Sequence, residues 1–334
     1  MSAGTTTVPL PGLDAETTTT LVDGLARVEA FLESRVRHDD PFIAEASGHL
    51  LAAGGKRVRP VLTLLASQFG TGIDDDVVAA AAAVELTHLA SLYHDDVMDE
   101  AALRRGAPSA NAVYDNSTAI LVGDLLFGNA SDVVADLGAE AVKIQAQTFM
   151  RLCSGQIRDD RPCPPSEDAV EYYIGVLRDK TGALIATAAR FGAMFGGCDE
   201  QTVALLQEYG ELLGIAFQLA DDLLDIESRP GVSGKTPGTD LREGVDTLPV
   251  LLVRRVARPE DARLLQLLDS DLAHDDAGVA EALDLLRRHP AMEEARLSTR
   301  AIAARAQEQL TPLGEGPVVD ALRTLAASVV DRAV

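Results

Sequence analysis

Two short acidic runs have the residue types and the spacing for divalent-metal chemistry. The first is Asp95-Asp96-Val97-Met98-Asp99, with Glu100 behind it; the second is Asp221-Asp222-Leu223-Leu224-Asp225, with Glu227 beyond. Residues four apart on a helix share a face, with Cβ atoms about 5–6 Å apart, so Asp95 stacks on Asp99 and Asp221 on Asp225. Like charges at that spacing destabilise a bare helix, and a cation relieves them. Magnesium suits such a pair: it takes oxygen ligands, keeps several waters, and is held by one or two carboxylates together with substrate phosphates. A single DDxxD in so acidic a chain is a weak motif, because aspartates are frequent enough to produce one by chance. Two, each at the end of an apolar helix, carry far more weight.

Basic residues accompany both runs. Gly54-Gly55-Lys56-Arg57-Val58-Arg59-Pro60 lies upstream of the first run and Arg104-Arg105-Gly106 just past it. Lys180-Thr181 falls within a helical stretch, and Gly234-Lys235 follows the second run. With 29 Lys+Arg against 52 Asp+Glu, positive charge beside aspartate clusters points to capture of an anion. Glycines admit close backbone approach, and Lys or Arg make charge-assisted bonds to phosphate. The glycine-rich nucleotide loop ending in Gly-Lys-Ser/Thr is absent, as is any strand–loop–helix setting for it.

The elements that must position these groups are helices. Aromatic residues make up 4%, there is no Trp, and alternation of period two is scarce. Apolar periodicity predicts helices over 21–37, 41–53, 60–69, 75–99, 117–137, 139–158, 167–195, 200–226, 246–257, 260–271, 278–288, 291–311 and 316–332. The stretches 75–94 and, less completely, 201–220 are apolar on nearly every side, as helices inside a large bundle are. Both run straight into the acidic runs. The expected fold is all-α, a single large multi-helix bundle around a central active-site cavity. It occupies residues 21–334 behind a polar, Thr-rich, flexible tail at 1–20. Arg229–Thr239, rich in Gly and Pro, is the clearest loop and is expected to close over a bound anion.

The net charge of −23 opposes nucleic-acid binding and docking on an anionic membrane. No uncharged apolar run reaches 18 residues, so no transmembrane segment is expected. Cys153, Cys163 and Cys198 form no CxxC pair; they read as reduced thiols of a cytoplasmic chain.

Between Leu50 and Val253 the motifs GGKRVRP, HLASLYHDDVMDEAALRRG, DKTG, FQLADDLLD and GKTPGTDL follow one another in order. This succession resembles the all-trans isoprenyl diphosphate synthases, the polyprenyl synthetase family, and most closely its bacterial medium- and long-chain members. The resemblance implies an all-α prenyltransferase that is usually a homodimer. It joins isopentenyl diphosphate head to tail to an allylic diphosphate, with three Mg²⁺ per active site and Mn²⁺ as a possible substitute. Carried over by position, Asp95 and Asp99 hold two of the ions and Asp221 the third, with Asp222 and Asp225 supporting through water. Arg104, Lys180 and Lys235 contact the allylic diphosphate. Lys56, Arg59, His88 and Arg105 bind isopentenyl diphosphate, and Thr181 and Gln218 line the reacting centre. One departure stands out: Val245 occupies a position where many relatives have lysine.

The product is expected to be C20 or longer, with C30 and beyond favoured. A chain growing from Asp95 along its own helix passes Ser91, Thr87 and then, besides Val84, Ala83 at about 5.4 Å per turn. All three are small, as is Ala90 beside them, whereas short-chain relatives carry aromatic plugs at the positions matching Ala90 and Ser91. Two other readings are a class I terpene cyclase and a non-catalytic subunit of a heteromeric synthase. The second DDxxD and the GGKRVRP element weigh against the first, and the intact aspartate clusters against the second.

Overall fold

The computed structural model describes residues 13–228 and 237–331. Lys235 and most of the expected closing loop, like residues 1–12 of the expected tail, lie outside them. The described residues form sixteen α-helices with one two-stranded hairpin and three short stretches of other helix. The all-α expectation holds. The helices expected at 75–99, 117–137, 139–158 and 200–226 are α4 (Asp75–Met98), α6 (Asn116–Asp136), α7 (Ala139–Asp159) and α10 (Glu200–Glu227).

Three local features differ from the sequence reading. Helix α1 (Ala15–Arg35) begins inside the stretch read as tail. Asp14 caps it by accepting from the Thr17 N–H at 2.7 Å. The hydroxyls of Thr18, Thr19 and Thr20 turn back onto carbonyls four residues earlier at 2.8–3.0 Å, so the threonines are accommodated in the helix. The stretch 167–195 is not one regular helix: a π-turn, Arg178–Gly182, separates α8 (Ala169–Leu177) from α9 (Ala183–Phe195). Finally, β1 (Leu103–Arg104) pairs antiparallel with β2 (Ala107–Pro108). Arg105 and Gly106, both at positive φ (55° and 78°), make the primed two-residue turn that matches strand twist.

The chain divides into two compact units. The first comprises residues 1–150, 184–210 and 310–322. Its centre is α4, packed by α1, α3 (Val58–Ser67) and α6. Asp74 caps α4 through the Val77 N–H at 2.9 Å, and Asp75 and Asp76 complement the N-terminal end of its dipole. From Val77 to Ala90 almost every side chain is buried, which accounts for its all-round apolar sequence. Gly123 lets α6 approach: a Cβ there would lie 2.3 Å from the His94 ring. Tyr93 ties α4 to α2 (Pro41–Ala52), its hydroxyl donating to the Ala46 carbonyl at 2.5 Å and accepting from the Leu50 N–H at 3.3 Å.

Both α4 and α6 are long and apolar enough, by length and composition alone, to cross a membrane. The apolar stretch of α4 is 72% buried within the chain, that of α6 only 39%. The apolarity of α4 is thus that of a core helix, whereas α6 leaves Ile120, Leu121 and Leu125 on the surface.

The second unit comprises residues 151–183, 211–309 and 323–334. Helix α12 (Leu248–Val256) packs on α8 and on α15 (Pro290–Gln309), and α14 (Asp276–Arg288) packs on α13 (Ala262–Leu268) and α15.

Candidate active site

In the first unit the DDxxD run ends α4. Asp95 is half-buried, Asp99 is exposed and Asp96 is fully buried. The Asp99 N–H bonds the Asp95 carbonyl at 2.8 Å, so the helical stacking of Asp95 and Asp99 persists to the last turn. One residue further round the helix, Asp96 points inward. Its Oδ1 accepts from Arg104 Nε at 2.5 Å, while its Oδ2 is buried without a hydrogen bond. Burial raises the Asp96 carboxyl above its ordinary range, against the pull of Arg104. A second guanidinium nitrogen of Arg104 lies 3.9 Å from Asp99. The hairpin is therefore fastened to the acidic run.

The GGKRVRP turn separates two arginines by conformation. Arg57 takes the left-handed region, φ 49°, and its guanidinium is 3% exposed between Glu29 at 2.5 Å and Glu85 at 3.0 Å. It is a structural ion pair. Arg59, two residues on, makes no ion pair among the described residues, and its Nε is buried with no hydrogen bond. Arg105 bonds only carbonyls, those of Leu50 at 3.1 Å and Gly54. Gly55 makes room for it, since a Cβ there would lie 2.9 Å from the guanidinium. Burial and, next among the unfavourable causes, neighbouring guanidinium charge lower the pKa of both Arg59 and Arg105. His88 is pushed well below its ordinary value by burial and then by Arg59, Arg105, Arg57 and Arg104. The imidazolium is thus disfavoured there, which favours the neutral ring with one N–H to donate. Glu85, 2% exposed, is the buried carboxylate within this cluster; burial raises its pKa while Arg57, Arg59 and Arg105 lower it.

Of the residues expected along the product path, Ser91 is partly accessible, whereas Thr87 and Ala90 have no accessible surface. Thr87 donates to the Ala83 carbonyl at 2.8 Å and accepts from Gln145 of α7 at 2.5 Å. The small-residue face is thus covered at Thr87 by packing from α7, one turn below Ser91.

In the second unit the other DDxxD run ends α10. Asp221 and Asp225 are half-buried and Asp222 is 3% exposed. Tyr173 donates to Asp222 Oδ2 at 2.5 Å and Gln218 to Oδ1 at 3.1 Å. Burial pushes the Asp222 pKa up to about 7, with these two donors opposing. Asp225 accepts from the backbone N–H groups of Thr239 and Asp240, both at 3.2 Å, anchoring the start of α11 (Thr239–Arg242). Val245 is half-buried, and its N–H bonds the Asp240 carbonyl at 2.9 Å.

Lys180 and Thr181 stand in the π-turn, a feature that recurs at functional sites. Gly155 of α7 receives this turn: a Cβ there would lie 2.5 Å from the Lys180 nitrogen. Asp159, one helical turn on, takes Lys180 Nζ at 2.5 Å. Arg151 pairs with Asp179 at 2.9 Å and Glu211 at 2.6 Å.

The sequence reading had not singled out Asp96, Glu85, Asp159, Tyr173 or Gln145. For Asp159 a signal existed, because Gly155 and Asp159 share a helix face. For Tyr173 there was none.

The carboxylates fit a magnesium ion. Among the described residues, no three His, Cys, Asp or Glu side chains form a closed metal cage. Paired half-exposed carboxylates leave the remaining positions to water and phosphate, as this cation prefers.

The chain matches the family model described as Polyprenyl synthetase over residues 40–286. It is 47% identical over 310 residues to a nonaprenyl diphosphate synthase of Mycobacterium tuberculosis, covering 92% of each chain. The crystal structure of a geranylgeranyl pyrophosphate synthase from Corynebacterium glutamicum, complexed with calcium and isoprenyl diphosphate, is similar at TM-score 0.86 and 41% identity. That similarity covers 96% of this chain and 98% of that one. A decaprenyl diphosphate synthase from Rhodobacter capsulatus is similar at TM-score 0.87 and 34% identity, covering 96% and 99%. The chain belongs to the polyprenyl synthetase family.

Proposed function

We propose that this chain is a magnesium-dependent trans-prenyltransferase that condenses isopentenyl diphosphate with allylic diphosphates into an all-trans polyprenyl diphosphate. The product is C20 or longer, with C30 and beyond favoured. The observation that carries the reading is the pair Arg59 and Arg105. These are cations held in a partly buried cluster with no ion pair among the described residues, sharing Glu85 with Arg57, a few turns from carboxylates suited to a metal. Placing such charges out of water is costly unless an anion joins them.

Lys56, Arg59, Arg105 and neutral His88 bind the diphosphate of isopentenyl diphosphate and hold its double bond for attack. Asp95, Asp99 and Asp221 hold the magnesium ions, three in number, and Arg104 and Lys180 assist at the allylic diphosphate. The metal supplies Lewis-acid stabilisation of the pyrophosphate that leaves. Lys180 moves its charge from Asp159 toward that anion. Thr181 and Gln218 face the allylic cation, and the departing pyrophosphate accepts the final proton. Lys235 belongs to the same set by position.

Residues 21–334 act as one synthase domain. The exposed apolar face of α6, with Ile120, Leu121 and Leu125, supports a homodimer. The free thiols of Cys153, Cys163 and Cys198 suit a cytoplasmic chain. Incubating the purified chain alone with labelled isopentenyl diphosphate, an allylic primer and Mg²⁺ tests the reading. All-trans products of C20 or more are expected. A cyclised hydrocarbon, or no product unless a second protein is added, would overturn it.

A further inference from the structure

Four side chains of the second unit form one hydrogen-bonded series. The Tyr173 hydroxyl donates to Asp222 Oδ2 at 2.5 Å. Gln218 Nε2 donates to Asp222 Oδ1 at 3.1 Å. Thr181 Oγ1 donates to Gln218 Oε1 at 3.3 Å. Tyr173, Thr181 and Asp222 are each no more than 9% exposed, so water does not readily replace these bonds.

The donor and acceptor inventory fixes a direction. In the ionised form both oxygens of Asp222 accept, one from Tyr173 and one from Gln218, and the Gln218 amide turns its NH₂ toward Asp222 and its carbonyl away. The carbonyl then takes the proton of the Thr181 hydroxyl. Every hydrogen in the series therefore points toward Asp222. At the far end, Thr181 has its proton committed and offers only lone pairs outward. Lone pairs stabilise an adjacent cation; an N–H in the same place repels it. An amide free to rotate could present either.

We propose that Tyr173 is a positioning residue for the prenyl transfer. By holding Asp222 as a fixed double acceptor, it sets the orientation of the Gln218 amide and the Thr181 hydroxyl, so that oxygen lone pairs face the developing allylic cation. The inference rests on the function proposed above. Tyr173 touches no reacting atom and acts through Asp222.

The test is Tyr173→Phe in the full chain, which keeps ring and packing and removes one hydroxyl. Steady-state assays use isopentenyl diphosphate, an allylic diphosphate and Mg²⁺. The kcat is expected to fall roughly ten- to hundredfold, as losing a hydrogen bond to a charged group does. The KM for isopentenyl diphosphate should change less than about twofold, because that pocket binds alike in ground and transition states. Thr181→Val should lower kcat similarly, and Thr181→Ser, which keeps the hydroxyl, should restore most of it. The double variant Tyr173→Phe/Thr181→Val should be no slower than the worse single, since both break the same series.

A wild-type kcat in Tyr173→Phe, or losses that multiply in the double variant, would overturn the inference while leaving prenyl transfer intact. Absence of any prenyl product from the unsubstituted chain would instead overturn the functional reading, and this inference with it.

Discussion

The two DDxxD helices end alike in sequence, yet their surroundings are charged in opposite ways. Around the end of α4 the described guanidinium groups are unevenly paired. Arg57 is paired with Glu29 and Glu85 and Arg104 with Asp96, while among the described residues Arg59 and Arg105 make no ion pair and feel Glu85 only at longer range. Among the described residues of the second unit each of the nearby cations has a carboxylate: Lys180 pairs with Asp159, and Arg151, Arg158 and Arg178 share Asp179 and Glu211. A region with buried cations to spare calls for an anion. The less buried aspartates of both runs suit a metal cation. The same acidic run thus stands in two different electrostatic settings.

The middle aspartates sharpen the comparison. Asp96 and Asp222 both turn inward, about 100° round the helix from the stacked pair. Asp96 grips the hairpin through Arg104, and Asp222 grips Tyr173 and Gln218. Each run therefore divides into a more accessible stacked pair and one inward residue held by its neighbours.

The largest expected effect breaks both regions at their metal positions. Asp95→Ala or Asp221→Ala should lower kcat by roughly a hundred- to thousandfold or more, with helical circular dichroism nearly unchanged because each relieves like-charge repulsion. Near wild-type turnover in either variant would remove that residue from the metal set.

Next comes stability within the first region. Arg57→Ala leaves Glu85 buried without its partner and should cost about 3–5 kcal/mol of folding free energy, read from denaturant melts. Arg59→Ala should cost far less, since no carboxylate is orphaned. It should instead raise the KM for isopentenyl diphosphate roughly tenfold with kcat little altered. Equal destabilisation by the two would erase the distinction between structural and ligand-binding arginine.

The smallest effect on rate concerns product length. Ser91→Phe should shorten the product toward C15–C20 with modest loss of turnover. Ser91 is the accessible residue of the three proposed for chain length, whereas a larger side chain at fully buried Ala90 would also strain the packing. An unchanged product distribution would show that length is set elsewhere.

Much of this was legible in the sequence, for identifiable reasons. The stacking of Asp95 on Asp99 and of Asp221 on Asp225 follows from helical spacing alone, and the all-round apolarity of 75–94 announced a core helix. The division between Arg57 and Arg59 was not legible. Both sit in one basic turn, and only the left-handed backbone at Arg57 sends its guanidinium inward. The π-turn at Lys180 escaped because one extra residue per turn leaves no mark on apolar periodicity. The helical start at Ala15 escaped because a threonine run reads as loop until its hydroxyls are seen bonding back to the helix. The hairpin was hidden in Arg-Gly, a turn pair less telling than Asn-Gly.

The assignment of isopentenyl diphosphate to the Arg59 pocket, apart from a metal-assisted allylic diphosphate, is tested most directly by calorimetric titration of isopentenyl diphosphate into the purified chain with all divalent metal removed by chelator. Binding is predicted without metal, at an affinity preserved in Asp221→Ala and weakened roughly tenfold in Arg59→Ala, whereas an allylic diphosphate analogue should bind tightly only once Mg²⁺ is restored. Isopentenyl diphosphate binding that requires Mg²⁺, or that survives Arg59→Ala unchanged, would contradict it.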